Sequence, residues 1–228
     1  MKIKEDFNMT KYVTPSLLNV EKENRLAMAN TLVENGIKWI HYDVMDGKFV
    51  PNTAIQVEEI ENINKNGLKH LKDAHLMVVN PYDYVDQVKD VVDIITFHFE
   101  AIKDDLKKFD EFLTQKYDEL KIGLAIKPST SVDEIKLFLD RLALVLVMSV
   151  EPGAGGQKFM PSALEKIAYL KDLKIENGYE YLIQVDGGIN NVTGPEAFKA
   201  GADACVAGTY IVVEPTKERI QSVLGHHR

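Results

Sequence analysis

The chain has 228 residues, 45% of them hydrophobic, which suits one α/β domain with a sizeable core. A formal net charge of -8 and a sequence pI of about 5.3 exclude broad nucleic-acid or anionic-membrane binding, since both need basic surface. The lone cysteine, Cys205, excludes an internal disulfide framework and fits a reducing compartment. The longest apolar run, 142–148, is too short to span a bilayer, and the charged stretch 1–11 lacks the apolar centre of a signal peptide. A soluble cytoplasmic protein is the expectation.

Taken in chain order, apolar β-rich runs alternate with amphipathic stretches. A first strand over 12–18 carries Ser16 and leads into a helix over 21–35, closed by Gly36. The second, 39–44, runs into His41-Tyr42-Asp43-Val44-Met45-Asp46-Gly47. The third, 71–77, carries His75, and the fourth, 94–99, carries His98. A helix over 104–117 precedes strand 122–126 and Lys127-Pro128. Ser131 and Glu134 form a capping-box pattern before a helix over 132–140. Strand 144–150 leads to Glu151, and a helix over 163–177 is closed by Gly178. Strand 181–185 ends at Asp186, and 204–207 is the last. Eight near-continuously apolar strands alternating with helices predict a parallel sheet covered on both faces. Closure into a single (β/α)8 TIM barrel over 1–228 is the expected architecture, with 1–11 an extension and 225–228, including His226-His227, a disordered tail. An open doubly wound sheet is the less favoured alternative, because Pro15-Ser16-Leu17-Leu18-Asn19 lacks a glycine-rich fingerprint.

In such a barrel, chemistry sits where strands run into their following loops. Alternation along strand two places His41, Asp43 and Met45 on one face. A buried strand seldom carries an imidazole beside a carboxylate unless both have partners. With His75 and Asp186, this gives two nitrogen and two carboxylate donors from three strands. We read them as a divalent-metal site, in preference to a hydrogen-bonded polar layer. The donor set suits Zn²⁺ or Fe²⁺, and also Mn²⁺ or Co²⁺. Strands two and seven stand three steps apart around an eightfold ring, so Asp43 and Asp186 are expected to address opposite faces of a bound substrate. That arrangement suits proton removal from one face of a carbon and return to the other. The competing view makes both acids plain ligands.

Gly153-Ala154-Gly155-Gly156, Gly187-Gly188 and Gly208-Thr209 follow strands six, seven and eight. Three glycine-bearing loops in consecutive positions predict a phosphate site built from backbone N–H groups. Met45, Met77 and Met148, at strand ends, are either core filling or an apolar wall over the reacting carbon. His98 is expected to be a core histidine bonded to backbone, Cys205 to be buried packing, and Lys127 to be a solvated strand end.

The stretches Pro15-Ser16-Leu17-Leu18, His41 to Asn52, His75-Leu76-Met77-Val78, Met148 to Phe159 and Val185-Asp186-Gly187-Gly188-Ile189 resemble the ribulose-phosphate 3-epimerase family, in order from about residue 13 to 213. The resemblance implies a metal-dependent isomerase of the pentose phosphate pathway that interconverts D-ribulose 5-phosphate and D-xylulose 5-phosphate. It implies that His41, Asp43, His75 and Asp186 hold the metal and that Asp43 and Asp186 are the two acid–bases. It also implies that Ser16 and His75 contact the sugar, that the glycine loops hold the phosphate, and that the protein is a homo-oligomer, a dimer or hexamer. The chain departs from the family pattern in three places. Ala154 stands where an aromatic residue is common, and Thr209 where serine is usual. Asn19-Val20-Glu21 replaces a small residue, alanine and aspartate, a change expected to affect the helix entry more than the site. Allulose 6-phosphate is the alternative substrate. A noncatalytic sugar-phosphate binder is a further alternative. A decarboxylase of the related barrels is disfavoured, because no lysine lies between Asp43 and Asp46.

Overall fold

The computed structural model describes residues 10–226. Residues 1–9 of the expected extension and 227–228 of the expected tail, His227 among them, lie outside the described residues. In chain order the elements are β1 (Tyr12–Val13), a 3₁₀ turn (Lys22–Asn24), α1 (Arg25–Glu34), β2 (Trp39–Met45), α2 (Val57–Asn66), β3 (Leu71–Met77) and α3 (Tyr82–Val88). β4 (Ile94–His98), α4 (Phe99–Ile102), a 3₁₀ turn (Lys103–Asp105), α5 (Leu106–Lys116), β5 (Ile122–Ile126), a 3₁₀ helix (Val132–Phe138), β6 (Leu144–Met148) and α6 (Ser162–Asn177) follow. The chain ends with β7 (Leu182–Asp186), α7 (Thr193–Ala200), β8 (Ala204–Val206), α8 (Gly208–Val212) and α9 (Lys217–Val223).

All eight strands join one parallel sheet in the order β1-β8-β7-β6-β5-β4-β3-β2. The ring is drawn shut between the sheet's two ends by a parallel bridge from Ser16 to His41, where the His41 N–H donates to Pro15 O at 2.9 Å. β1 is far shorter than the expected 12–18. Pro15 has no N–H to give a ladder, so regular pairing stops and only the Ser16 bridge continues it. The barrel is the expected one, and no helix among the described residues is long and apolar enough to cross a membrane.

Strand alternation sorts side chains into two cores. Outward residues such as Ile40, Tyr42, Leu76, Phe97, Leu124 and Val147 pack with helix residues such as Leu32, Ile60, Phe109 and Ile167. Inward residues Trp39, Ile94, Ala125, Leu144, Leu146, Met148 and Ala204 fill the barrel itself. Both faces of each strand are thus buried, which is why the strands read as continuous apolar runs.

Several ends differ from the expected ones. Phe99 opens α4 instead of ending β4, and β6 stops at Met148. The helix expected over 132–140 is 3₁₀, although Ser131 and Glu134 do form the capping box. Gly178 closes α6 in the left-handed conformation as expected. Gly225 and His226 donate to Ser222 O and Gln221 O at 3.1 Å, so the first residues of the expected tail cap α9.

Phe109 is fully buried between Phe97 and Phe138, with ring centroids at 5.8 and 5.1 Å. Phe109→Ala is expected to cost about 3–5 kcal/mol through lost burial and the cavity left behind. Urea unfolding monitored by circular dichroism measures this; a loss under 1 kcal/mol would show that the helix layer collapses to fill the gap.

Candidate active site

The register of β2 on β3 sets Asp43 beside His75 and Met45 beside Met77, and β7 brings Asp186 to the same end of the barrel. His75 Nδ1 lies 3.1 Å from Asp43 Oδ1 and 3.2 Å from His41 Nε2. His41 Nε2 lies 3.3 Å from Asp43 Oδ1, and Asp186 Oδ2 is 3.6 Å from His75 Nδ1 and 3.7 Å from His41 Nε2. One donor atom from each of the four residues lies within 4.8 Å of the others. Both histidines are fully buried, Asp43 nearly so, and Asp186 partly exposed to the mouth.

These groups control one another's charge. Burial would strip the proton from His41, but the charges of Asp73 and Asp43 overcome it and raise its pKa well above the ordinary value. Burial would also favour protonated Asp43. The charge of His41 and its hydrogen bond to Asp43 prevail and hold Asp43 below the usual carboxylate range. Asp186 goes the other way: burial first, then the charge of Asp43, push it up to about 7. The two carboxylates are therefore driven apart, one toward proton acceptor and one toward proton donor.

Behind the site stands a layer of which sequence reasoning named only His98. Asp73, fully buried, accepts from His41 Nδ1 at 2.6 Å and from Trp39 Nε1 at 2.6 Å. On the other side, His75 Nε2 meets His98 Nε2 at 2.8 Å, and His98 Nδ1 meets Glu100 Oε2 at 2.9 Å. His98 is thus bonded to side chains and not, as expected, to backbone. Burial lowers its pKa to about 4. The signals were local: Asp73 lies two residues from His75 on one strand face, and Glu100 two from His98.

The mouth is lined by Ser16, Asp43, Asp186, the three methionines and the three glycine loops. Ser16 Oγ donates a hydrogen bond to Asp43 Oδ2. Met45 and Met77 pack with Val50, while Met148 joins the barrel interior; each is buried yet borders the pocket. Gly187 and Gly188 have φ of +124° and +66°, and a Cβ on them would lie 2.4 Å from Val150 and 2.3 Å from Phe159 N. They are required for the strand-six and strand-seven loops to close on each other. Gly153, Gly156, Gly208 and Thr209 border the same space, and exposed Ala154 brings no aromatic ring to the strand-six loop at its rim. Asn19 corrects the expectation that it serves the helix entry. Its Nδ2 donates to Thr209 Oγ1 at 2.6 Å, and a Cβ on Gly155 would lie 2.3 Å from that same amide nitrogen. Asn19 thus ties the first loop to the last at the mouth. Cys205 is buried, as expected, and Lys127 places its Nζ 4.8 Å from the Phe49 ring centre.

The four central groups fit a divalent metal. His41 Nδ1 and His75 Nε2 are occupied by Asp73 and His98, leaving one nitrogen of each ring facing the two carboxylates. Two nitrogens and two oxygens suit a first-row ion, and a carboxylate behind a ligating histidine is the usual support. The identity of the ion is not set by these donors.

The family model described as the ribulose-phosphate 3 epimerase family matches residues 12–212. A ribulose-phosphate 3-epimerase of Schizosaccharomyces pombe is 36% identical over 93% of this chain and 91% of that protein. One of Methanocaldococcus jannaschii is 42% identical over 78% and 74%, and a cytoplasmic isoform of Oryza sativa is 39% identical over 87% and 86%. Among solved structures, a 3-hexulose-6-phosphate synthase superposes with a TM-score of 0.65 at 15% identity, covering 95% of this chain and 99% of that one, a likeness of fold. With a family model spanning every strand and relatives matched over most of their length, this chain belongs to the ribulose-phosphate 3-epimerase family.

Proposed function

We propose that this protein epimerises D-ribulose 5-phosphate and D-xylulose 5-phosphate at C3, with Asp43 and Asp186 exchanging protons on opposite faces of that carbon. The observation that carries the reading is the pair itself. Two carboxylates from strands three steps apart converge at one mouth, and their surroundings drive their proton affinities in opposite directions. In the metal-free protein this leaves one ready acceptor and one ready donor. Family membership supports the same chemistry.

In this reading His41, Asp43, His75 and Asp186 hold a divalent ion, Zn²⁺ or Fe²⁺ before Mn²⁺ or Co²⁺. When bound, that ion supplies positive charge to steady the negative charge developing on the substrate oxygens. Asp43 takes the C3 proton on one face while the Ser16 hydroxyl orients its carboxylate. Asp186 returns a proton to the other face. Ser16 and His75 contact the sugar. Met45, Met77 and Met148 form an apolar cover that keeps water from the carbanionic centre. The backbone around Gly153, Ala154, Gly155, Gly156, Gly187, Gly188, Gly208 and Thr209 receives the phosphate. An acidic chain can bind an anion this way because the donors are local N–H groups. The whole chain acts as one catalytic domain, placed in the cytoplasm and assembled as a homo-oligomer.

Asp43→Asn and Asp186→Asn are each expected to lower kcat by about 10²–10⁴-fold. Solvent deuterium should enter C3 during turnover by the unmodified protein. Near-normal turnover by either variant would sink the two-base assignment, and faster turnover of allulose 6-phosphate would overturn the substrate. Chelation should abolish activity, and re-addition of a divalent ion should restore it.

The metal-free protein should also show a pH signature. Asp186 has a folded pKa of about 7, above its ordinary 3.8. It binds its proton more tightly when folded, so its stabilising contribution is complete below about 4 and is lost as pH rises toward 7. Thermal melts in chelator should show Asp186→Asn gaining on the unmodified protein across that interval; parallel curves would contradict the assignment.

A further inference from the structure

The hydrogen-bond chain behind His75 has a direction, and the direction is set at its far end. Glu100 Oε1 accepts from Lys127 N–H at 2.9 Å and from the Thr130 hydroxyl at 2.5 Å. Its other oxygen, Oε2, lies 2.9 Å from His98 Nδ1. An ionised carboxylate only accepts, so His98 must carry its proton on Nδ1. A neutral imidazole has one proton, so His98 Nε2 then presents a lone pair. The 2.8 Å contact between His98 Nε2 and His75 Nε2 needs one proton, and His75 must supply it. His75 Nδ1, the atom that faces Asp43 and His41, is thereby left bare. Both rings are fully buried and lie 4.9 Å apart at 29°, so neither has water as an alternative partner nor room to turn.

We infer that Glu100 is a positioning residue which, acting through His98, holds His75 in the tautomer whose Nδ1 is free to bind a metal. This rests on the metal-site reading given above. Glu100 touches neither the metal donors nor the pocket. It is itself fixed from outside the barrel: Lys166 of α6 donates to the carbonyls of Lys127, Pro128 and Thr130 at 3.1, 2.7 and 2.6 Å, holding the segment that supplies both donors to Glu100. Asp73 performs the matching task for His41 from the opposite side, where it accepts from Nδ1 and leaves Nε2 facing the site.

Glu100→Gln tests this with almost no change of shape. The amide oxygen must stay where Lys127 N–H and the Thr130 hydroxyl donate, so the amide NH₂ faces His98 Nδ1. That makes Nδ1 an acceptor, moves the His98 proton to Nε2, and pushes the His75 proton onto Nδ1. Glu100→Ala removes the bias without reversing it. We expect Zn²⁺ affinity, measured by competition with a chromogenic chelator, to fall by about 10–100-fold in Glu100→Gln and less in Glu100→Ala. A purely structural role gives the opposite order, because alanine leaves the larger void. In the metal-free protein, ¹⁵N–¹H correlation of the histidine rings should place the His75 proton on Nε2 in the unmodified chain and on Nδ1 in Glu100→Gln. Unchanged tautomers, unchanged affinity or a weaker alanine variant would each overturn the inference. If the unmodified protein binds no divalent ion, the metal-site reading falls, while the ring tautomers still decide the relay.

Discussion

Asp43, Asp73 and Asp186 are drawn into a barrel whose lower interior is filled by Trp39, Ile94, Leu144 and Leu146. A carboxylate removed from water must be paired, hydrogen-bonded or protonated, and each of the three meets that demand differently. Asp73 receives two N–H bonds from Trp39 and His41. Asp43 is held ionised by the charged His41 ring and by Ser16. Asp186, nearer the mouth and beside another carboxylate, keeps its proton more readily. Most of what distinguishes the site follows from this charge balance, which a divalent ion would complete.

The balance reaches outward through neutral and charged hydrogen bonds. From the pocket it runs through His75 and His98 to Glu100, then to Lys127 and Thr130, and finally to Lys166 on α6. A helix on the outer face therefore takes part in orienting a nitrogen at the barrel centre. Deep burial makes this feasible, since no solvent competes for the bonds in between.

The loops above the site are held by a different means, close backbone approach. Gly187 and Gly188 let the strand-seven loop pass against Val150 and Phe159, and Gly155 passes against Asn19. Asn19 in turn reaches Thr209. Two of the positions where the chain departs from its family pattern are thus in contact with each other, which single positions read in isolation did not suggest.

The eightfold alternation, the strand-end residues and the donor set were all legible in the amino-acid order. Apolar periodicity and the rule that barrel chemistry sits at strand ends are both local properties of sequence. Helix ends were less legible: the turn after Ser131 is 3₁₀ despite its capping box, and Pro15 cuts β1 short. The sequence could nominate His41, Asp43, His75 and Asp186, but not their separations, because register between strands depends on how the whole ring closes. It also could not pair Asp73 with His41, Glu100 with His98 or Asn19 with Thr209. Those partners come from different strands and loops, and only packing in three dimensions decides which nitrogen of each ring faces the site.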